Sequence, residues 1–252
     1  MIKKSSAALI ASSLLSFALL PLAGCTVETS TSPDAPSSED ATAPEVSTTE
    51  EPATEPPASL LKIRDFIASK TIDKTQSTWK SRLPKPPKLR FKDETIFWNL
   101  DTTEGDIRIK LMPDVAPMHV SNLMYLTELG FYDDLFFHRV MAGFMAQGGC
   151  PNGNGMGNPG YKFGSEVRKD VSHDRAGLLS AANLFPTPNT DGSQFFLTFS
   201  PQTHLDMRHT IYGEVVDGMD VLKKLDANSG TRANGGRPKK KMIINSATIS
   251  YE

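Results

Sequence analysis

Alternating apolar and polar residues, beginning near residue 95, predict a series of short β-strands. The predicted strands cover residues 95–100, 106–111, 135–141, 144–147, 177–182, 194–198, 210–216 and 242–251. Two helical patterns interrupt them, at 115–129 and 219–227, and the first has Pro117 near its start and Gly130 just past its end. Many short strands and few helices predict a closed or sandwiched antiparallel sheet.

Residues 60–91 precede this region and have a different pattern. Leu60, Ile63, Phe66 and Ile67 share one face of a predicted short helix, for which Ser59 is the expected cap. The proline-rich stretch 83–87 then excludes further helix. The sequence leaves open whether this lead-in segment, residues 60–91, packs on the following domain or on a partner.

The first 24 residues have the pattern of a secretory leader. Lys3 and Lys4 precede an apolar run over 7–20, and small residues precede Cys25. The run is shorter than the roughly 20 residues that a spanning helix needs. Its ending resembles a bacterial lipobox, which implies cleavage before Cys25 and lipidation of that cysteine. An ordinary signal peptide with a chance cysteine, or an uncleaved anchor, remains an alternative.

Residues 25–59 are expected to form a disordered tether behind the lipidated cysteine. Residues 26–59 contain eight acidic side chains and six prolines, and they contain no lysine or arginine. Such a composition cannot bury enough apolar surface to offset the entropy of ordering, and 34 coil-like residues reach roughly 30–35 Å on average. A spacer is the preferred interpretation over an acidic peptide-binding tail. We therefore expect a lipid-anchored protein in the bacterial cell envelope, facing outside the cytoplasm. Thr26 in place of a retention aspartate favours the outer membrane where the host has two.

Composition excludes several other classes. The chain has 252 residues, a net charge of −2 and two cysteines, which argues against a nucleic-acid binder and a disulfide scaffold. The five histidines show no paired metal-ligand spacing, and no serine-hydrolase elbow is present. The glycine-rich stretch 148–160 lacks the Gly-Lys-Ser/Thr ending of a phosphate loop. We therefore expect no metal, cofactor or nucleic acid.

One block of sequence is specific. Residues 137–149, Phe-His-Arg-Val-Met-Ala-Gly-Phe-Met-Ala-Gln-Gly-Gly, resemble the signature of the cyclophilin family of peptidyl-prolyl isomerases. Blocks at 177–183, 189–196 and 205–213 agree in order and spacing, and the resemblance spans about 95–251. It implies a mainly β fold over 92–252, a closed eight-stranded antiparallel barrel capped by two α-helices. It also implies isomerisation of X–Pro bonds in proline-containing polypeptide clients, by what we expect to be a monomer.

The resemblance also implies site residues. Arg139 matches the catalytic arginine of the family, and its permanent charge and forked donors suit an electrostatic role. A surface arginine in a salt bridge is the alternative. The positions implied to bind substrate, some of them as second-layer support, are Phe144, Met145, Gln147, Ala182, Asn183, Gln194, Phe196, His204, Leu205 and His209.

The sequence departs from well-known eukaryotic members at two places. His204 stands where they have a tryptophan that contacts cyclosporin, so we expect weak inhibition by that compound. The segment 184–188 is two residues longer than the eukaryotic loop and contains two prolines and a phenylalanine. Two other functions stay open, namely a proline-segment binding module without turnover and a structural envelope lipoprotein.

Overall fold

The computed structural model describes residues 55–252 of the chain. The predicted leader, the lipidation position Cys25 and the tether up to residue 54 lie outside the described residues. Across residues 55–252, none of the helices combines the length and apolar character required to span a membrane.

Within residues 55–252, eight antiparallel strands form one sheet, so the mainly β prediction is confirmed. Each overlaps one predicted strand. The strands are β1 (Ile96–Thr102), β2 (Gly105–Leu111), β3 (Arg139–Met141), β4 (Met145–Gly148), β5 (Leu178–Ala181), β6 (Phe195–Thr198), β7 (Ile211–Asp217) and β8 (Ile244–Tyr251). Their order across the sheet is β3-β4-β6-β5-β7-β2-β1-β8. Sequence neighbours β1 and β2 pair through a tight hairpin, in which Thr102 lies opposite Gly105.

The sheet does not close, and the predicted closed barrel is wrong. β3 and β8 are the two edges of the sheet, and they are linked only near the start of each strand, where residues 134–137 and 242–244 share one isolated bridge and three backbone hydrogen bonds. The outer edge of β3 is occupied by another segment. The N–H of Val140 donates to the carbonyl of Gly236, and the N–H of Gly230 donates to the carbonyl of Val140. Because those backbone groups are already used, β8 cannot extend a ladder along β3.

In the described part of the chain, three α-helices accompany the sheet. They are α1 (Ala58–Ala68), α2 (Pro117–Glu128) and α3 (Met219–Ala227). The two helices predicted among the strands are confirmed as α2 and α3. α2 begins with proline, whose fixed φ suits the first turn, and Gly130 follows its end with a φ of 65°. Most of α2 is buried, from Met118 to Thr127.

The lead-in segment packs on the rest of the described chain. The ring of Phe66 in α1 lies edge-on to Tyr125 in α2, with centroids 5.6 Å apart. Further along, Lys80 donates to the carbonyl of Asp133, and Leu83 donates its N–H to the carbonyl of Pro159. Ser59 is not the helix cap as expected. Pro57 takes that position, and the N–H of Ser59 bonds to Glu94 instead.

The apolar side chains form two separate clusters. The larger is the core between the sheet and α2, where Trp98 lies edge-on to Phe195 and Tyr132 with centroids 4.9 and 5.1 Å away. The smaller contains Met145, Phe196 and Leu205, with Met141, Phe144 and Ala182 packed against it. An apolar cluster apart from the core is a feature of binding pockets.

Candidate active site

The smaller cluster lines a pocket of about 200 Å³. A cavity of this size accepts one small apolar group, such as a five-membered ring. The structure brings together nine of the eleven groove residues named from the sequence, and no other residue lines the pocket. They are Arg139, Phe144, Met145, Gln147, Ala182, Asn183, Phe196, Leu205 and His209.

Strand register explains why these residues meet. Arg139 lies opposite Gln147 in the β3–β4 pair, and Gln147 lies opposite Phe196 in the β4–β6 pair. Side chains directly opposite on neighbouring strands lie on the same face of a sheet. Their strand neighbours Ala146 and Phe195 point the other way, into the core. A guanidinium, an amide and an aromatic ring therefore form one row on the outer face.

Arg139 is half-buried and has only neutral partners. Its Nη1 donates to Oε1 of Gln147 at 3.2 Å, and its Nη2 donates to Sδ of Met141 at 2.8 Å. It forms no ion pair with any carboxylate of residues 55–252. Burial lowers the pKa of Arg139, but an arginine remains protonated at neutral pH. The pocket edge therefore carries an uncompensated positive charge, which the salt-bridge alternative does not explain.

Gln194 lies behind the pocket wall. It accepts a hydrogen bond from Nε2 of Gln147 at 3.0 Å, and its own Nε2 donates to the carbonyls of Gly155 and Gly157 at 2.8 and 2.9 Å. It thus connects the strands to the glycine-rich loop. Because Gln147 is held from both sides, by Arg139 and by Gln194, its amide has little rotational freedom.

Asn183 uses its side chain internally. Its Nδ2 donates to the carbonyl of Arg208 at 3.0 Å and lies within reach of Ser165 Oγ and Asp191 Oδ1 at 3.3 and 3.4 Å. Its backbone N–H and carbonyl have no hydrogen-bond partner among the described residues. Main-chain groups that are free beside a groove are available to a bound peptide.

The two groove histidines lie in different places. His209 lines the pocket, where its Nδ1 lies 3.0 Å from the carbonyl of Ala181 and its ring meets the edge of Phe196 at 5.4 Å. Burial lowers the pKa of His209, so it is neutral at pH 7. His204 does not line the pocket. The ring centroids of His204 and Phe144 are 5.8 Å apart, and His204 lines a neighbouring cavity that also includes Phe144.

A buried group of charges that no sequence motif indicates lies next to Asn183. His119 of α2 lies between Glu166, 2.9 Å from its Nδ1, and Asp191, 3.4 Å from its Nε2. Burial lowers the pKa of His119, but the two carboxylates outweigh that effect and raise it. Met141 was not among the predicted site residues either. The alternation of a strand that begins at Arg139 places Met141 on the same face as Arg139, so the sequence could have indicated Met141. No sequence signal pairs His119 with Glu166 and Asp191, which lie 47 and 72 positions away.

The eight antiparallel strands and the nine pocket residues are those that the motif resemblance implies for a proline-recognising isomerase, although the sheet stays open. The family model described as cyclophilin type peptidyl-prolyl cis-trans isomerase/CLD matches residues 97–249. Since that match covers more than half of the chain, the chain belongs to this family.

Named relatives are similar over the same region. A probable peptidyl-prolyl cis-trans isomerase A of Mycobacterium leprae is 42% identical over 167 residues, which cover 60% of this chain and 90% of the relative. A peptidyl-prolyl cis-trans isomerase of Rhizopus delemar is 44% identical over 136 residues, but the match covers only 21% of that longer protein. A crystal structure of a Cryptosporidium parvum cyclophilin, determined in the presence of the dipeptide Ala-Pro, has a TM-score of 0.58 and 32% identity. It covers 61% of this chain and 98% of its own.

Proposed function

We infer that the protein is a peptidyl-prolyl cis-trans isomerase that acts on X–Pro bonds of polypeptides. The observation that carries this inference is the unpaired guanidinium of Arg139 at the edge of a pocket of proline-ring size. A charged donor and an apolar pocket on the same face of the sheet can hold a proline ring and address its nitrogen together. The named relatives at 42–44% identity support the same activity.

The chemistry needs no bond to break. Resonance gives the peptide C–N bond a rotational barrier of ~18–20 kcal/mol, so X–Pro bonds isomerise over tens to hundreds of seconds. A catalyst must bind the twisted amide better than either planar isomer. When the amide twists, the proline nitrogen regains its lone pair and becomes a hydrogen-bond acceptor. A donor already positioned in a half-buried site stabilises that state.

We propose the following roles for the named residues. Phe144, Met145, Phe196 and Leu205 hold the ring, while Arg139 donates toward the proline nitrogen. Gln147 and the free main chain of Asn183 hold the backbone on either side, and Ala182 and His209 complete the wall. Gln194 keeps Gln147 in place. His204 stands outside the ring pocket, so its part is to contact a more distant portion of the client.

The test is a protease-coupled assay of the isomerisation of a short X–Pro peptide. The Arg139→Ala variant and the natural chain are assayed side by side. We expect kcat/KM to fall by at least about a hundredfold, because removing one charge-stabilising donor typically costs that much. Arg175→Ala is the matched control, since Arg175 is exposed and pairs with Asp174 and Glu214 outside the site. A folded natural chain with no turnover on several peptides would instead favour the proline-segment binding module.

We also propose that Cys25 carries lipid and anchors the protein in the bacterial envelope, where a monomer serves envelope or secreted clients. The leader pattern, the small residues before Cys25 and the acidic spacer support this proposal. Stable anchoring requires more than one acyl chain, which lipoprotein processing supplies. Labelled palmitate should enter the natural chain and not Cys25→Ser. In a host with two membranes, density-gradient fractionation should place the label in the outer membrane. Label retained by the variant would contradict the proposal.

A further inference from the structure

A second and larger cavity adjoins the ring pocket. Its volume is about 510 Å³, and it shares Arg139 and Gln147 with the pocket. Its other walls come from the glycine-rich loop and from the segment before β8. Among the residues that line it are Phe136, His138, Asn154, Arg237 and Lys241. A ligand in this cavity would therefore touch the same guanidinium that faces the proline.

The charge of this cavity has one sign. Arg139, Arg237 and Lys241 line it, no carboxylate does, and none of the three forms an ion pair within residues 55–252. The neighbouring Lys240, by contrast, is paired with Glu104 at 2.8 Å. Three close cations without counterions create a positive potential that attracts anions.

Neutral polar side chains adjoin the same cavity. Burial, and then the charge of Arg139, lower the pKa of His138 to about 4, so its ring is uncharged at pH 7. Both ring nitrogens of His138 are buried and lack a partner in the described part of the chain. Asn154 accepts the N–H of Met156 with its Oδ1, and its Nδ2 donates to no described residue. The free amide N–H groups of Asn154 can therefore donate to a polar ligand in the cavity.

Glycines keep the cavity open. A Cβ on Gly153 would lie 2.5 Å from the ring of Phe136, and a Cβ on Gly155 would lie 3.4 Å from Nε2 of His138. Both glycines have positive φ, 63° and 80°, which a side chain rarely adopts. Nζ of Lys241 lies over the ring of Phe136, 4.7 Å from the ring centroid. This cation–π contact holds one of the three cations in place.

We propose that this cavity binds the carboxylate of an acidic residue close to the isomerised proline, and so selects clients with Asp or Glu beside X–Pro. The proposal rests on the proposed function, since it concerns the same bound polypeptide. A client chain is continuous through the groove, so a side chain near the proline can reach a cavity that shares Arg139 with the pocket. A free anion has the same chemistry, and the experiment must separate these two sources.

The experiment compares matched peptides that differ only by Glu or Gln, at the second or third residue before proline or the first or second after it. Isomerisation is measured by NMR exchange on the full chain in mild detergent, at 50 mM salt. At one of these positions, we expect kcat/KM for the Glu peptide to exceed that for the Gln peptide by a factor of about 3 to 10. This is the size of effect that one or two partly exposed charge pairs produce. The ratio should fall below about 2 at 0.5 M salt, where the Debye length is only a few ångströms.

The variants assign the effect to the cavity. In the double variant Arg237→Gln, Lys241→Gln the ratio should fall close to 1. The double variant Lys110→Gln, Lys223→Gln removes the same charge from residues that do not line the cavity and should keep the ratio. A ratio within about twofold of 1 at every position in the natural chain, or one that persists in the first double variant, overturns the proposal.

Calorimetric titration with the Glu and Gln peptides measures binding without catalysis, so it tests the cavity separately from the proposed isomerase function. If neither peptide is isomerised, the proposed function fails, while tighter binding of the Glu peptide that depends on Arg237 and Lys241 still supports the cavity. Equal binding of both peptides overturns it. Inorganic phosphate is the third titrant. Phosphate binding without any Glu preference would assign the cavity to a free anion and overturn the client proposal.

Discussion

Glu166 joins the first turn of α2 to the lead-in segment, and its replacement by glutamine has a calculable effect on stability. Its Oε2 accepts the backbone N–H groups of Met118 and His119 at 2.9 and 3.1 Å and lies 2.9 Å from Nδ1 of His119. Its Oε1 lies 2.8 Å from Nζ of Lys88, and the side chain is only 14% exposed. The carboxylate thus caps α2 from a distant part of the chain.

The magnitude follows from the pKa of Glu166. Burial raises it, but the hydrogen bonds from His119 and Lys88 outweigh burial and lower the pKa from 4.5 to about 2. That difference corresponds to about 3 kcal/mol of unfolding free energy. Because the folded pKa is the lower one, this contribution is present above pH 4.5 and is lost as the pH falls toward 2. Between pH 6 and pH 3 about 2 kcal/mol of it should disappear.

The raised pKa of His119 has the opposite sign. Its contribution is complete below pH 6.5 and is lost as the pH rises through the folded pKa. The stability of this group of charges should therefore be greatest between about pH 4.5 and pH 6.5. Both carboxylates facing His119, those of Glu166 and Asp191, belong to the same group, so Glu166→Gln should lower the folded pKa of His119 as well.

Urea unfolding at pH 6 and pH 3 measures the effect. We expect Glu166→Gln to lose about 3 kcal/mol at pH 6 and to lie closer to the natural chain at pH 3. Glu214→Gln is the matched control, since Glu214 pairs with the exposed Arg175 and should change stability by less than about 1 kcal/mol. A loss in Glu166→Gln that is the same at both pH values would refute the electrostatic argument, as would a loss below about 1 kcal/mol at pH 6.

Three further predictions concern the site and the lead-in segment. Gln194→Ala should lower kcat/KM about tenfold with an unchanged circular dichroism spectrum, since Gln147 loses one of two partners; an unchanged rate contradicts this. Because burial lowers the pKa of both His138 and His209 below the usual 6.5, kcat/KM should vary less than twofold from pH 7 to 8; a larger change in that range that follows the titration of either ring would contradict this. Removing residues 55–91 deletes four aliphatic side chains at most 7% exposed, each worth ~1.5–3 kcal/mol, so the urea midpoint should drop sharply; an unshifted midpoint would exclude a stabilising lead-in.

Local periodicity was enough to predict most strands and the two helices of the family domain. The side-chain period of a strand is two, so the order Arg139-Val-Met already places residue 139 and residue 141 on one face. Likewise Met145 and Gln147 alternate with Ala146, which lies in the core. The pocket residues could be named from the sequence because they lie in ordered motif blocks whose spacing matches a family.

Long-range register and chain path were not available from that pattern. Periodicity predicted strands but not which edges pair, and the bonds of Val140 to the segment 230–236 decided that the sheet stays open. The same applies to the lead-in segment, which the sequence could not assign to the domain or to a partner. Its docking depends on the surface of α2, which exists only after the chain has folded.

The sequence by itself therefore determined the strands, the helices, the family and most of the side chains that line the pocket, because each depends on the spacing of residues within local patterns or ordered motif blocks. Only the tertiary structure decided which distant charges meet. It placed Glu166 and Asp191 around His119, and it placed Arg237 and Lys241 about 100 residues away from Arg139 in sequence but around the same cavity. Electrostatic partners act through space, and no local periodicity specifies them.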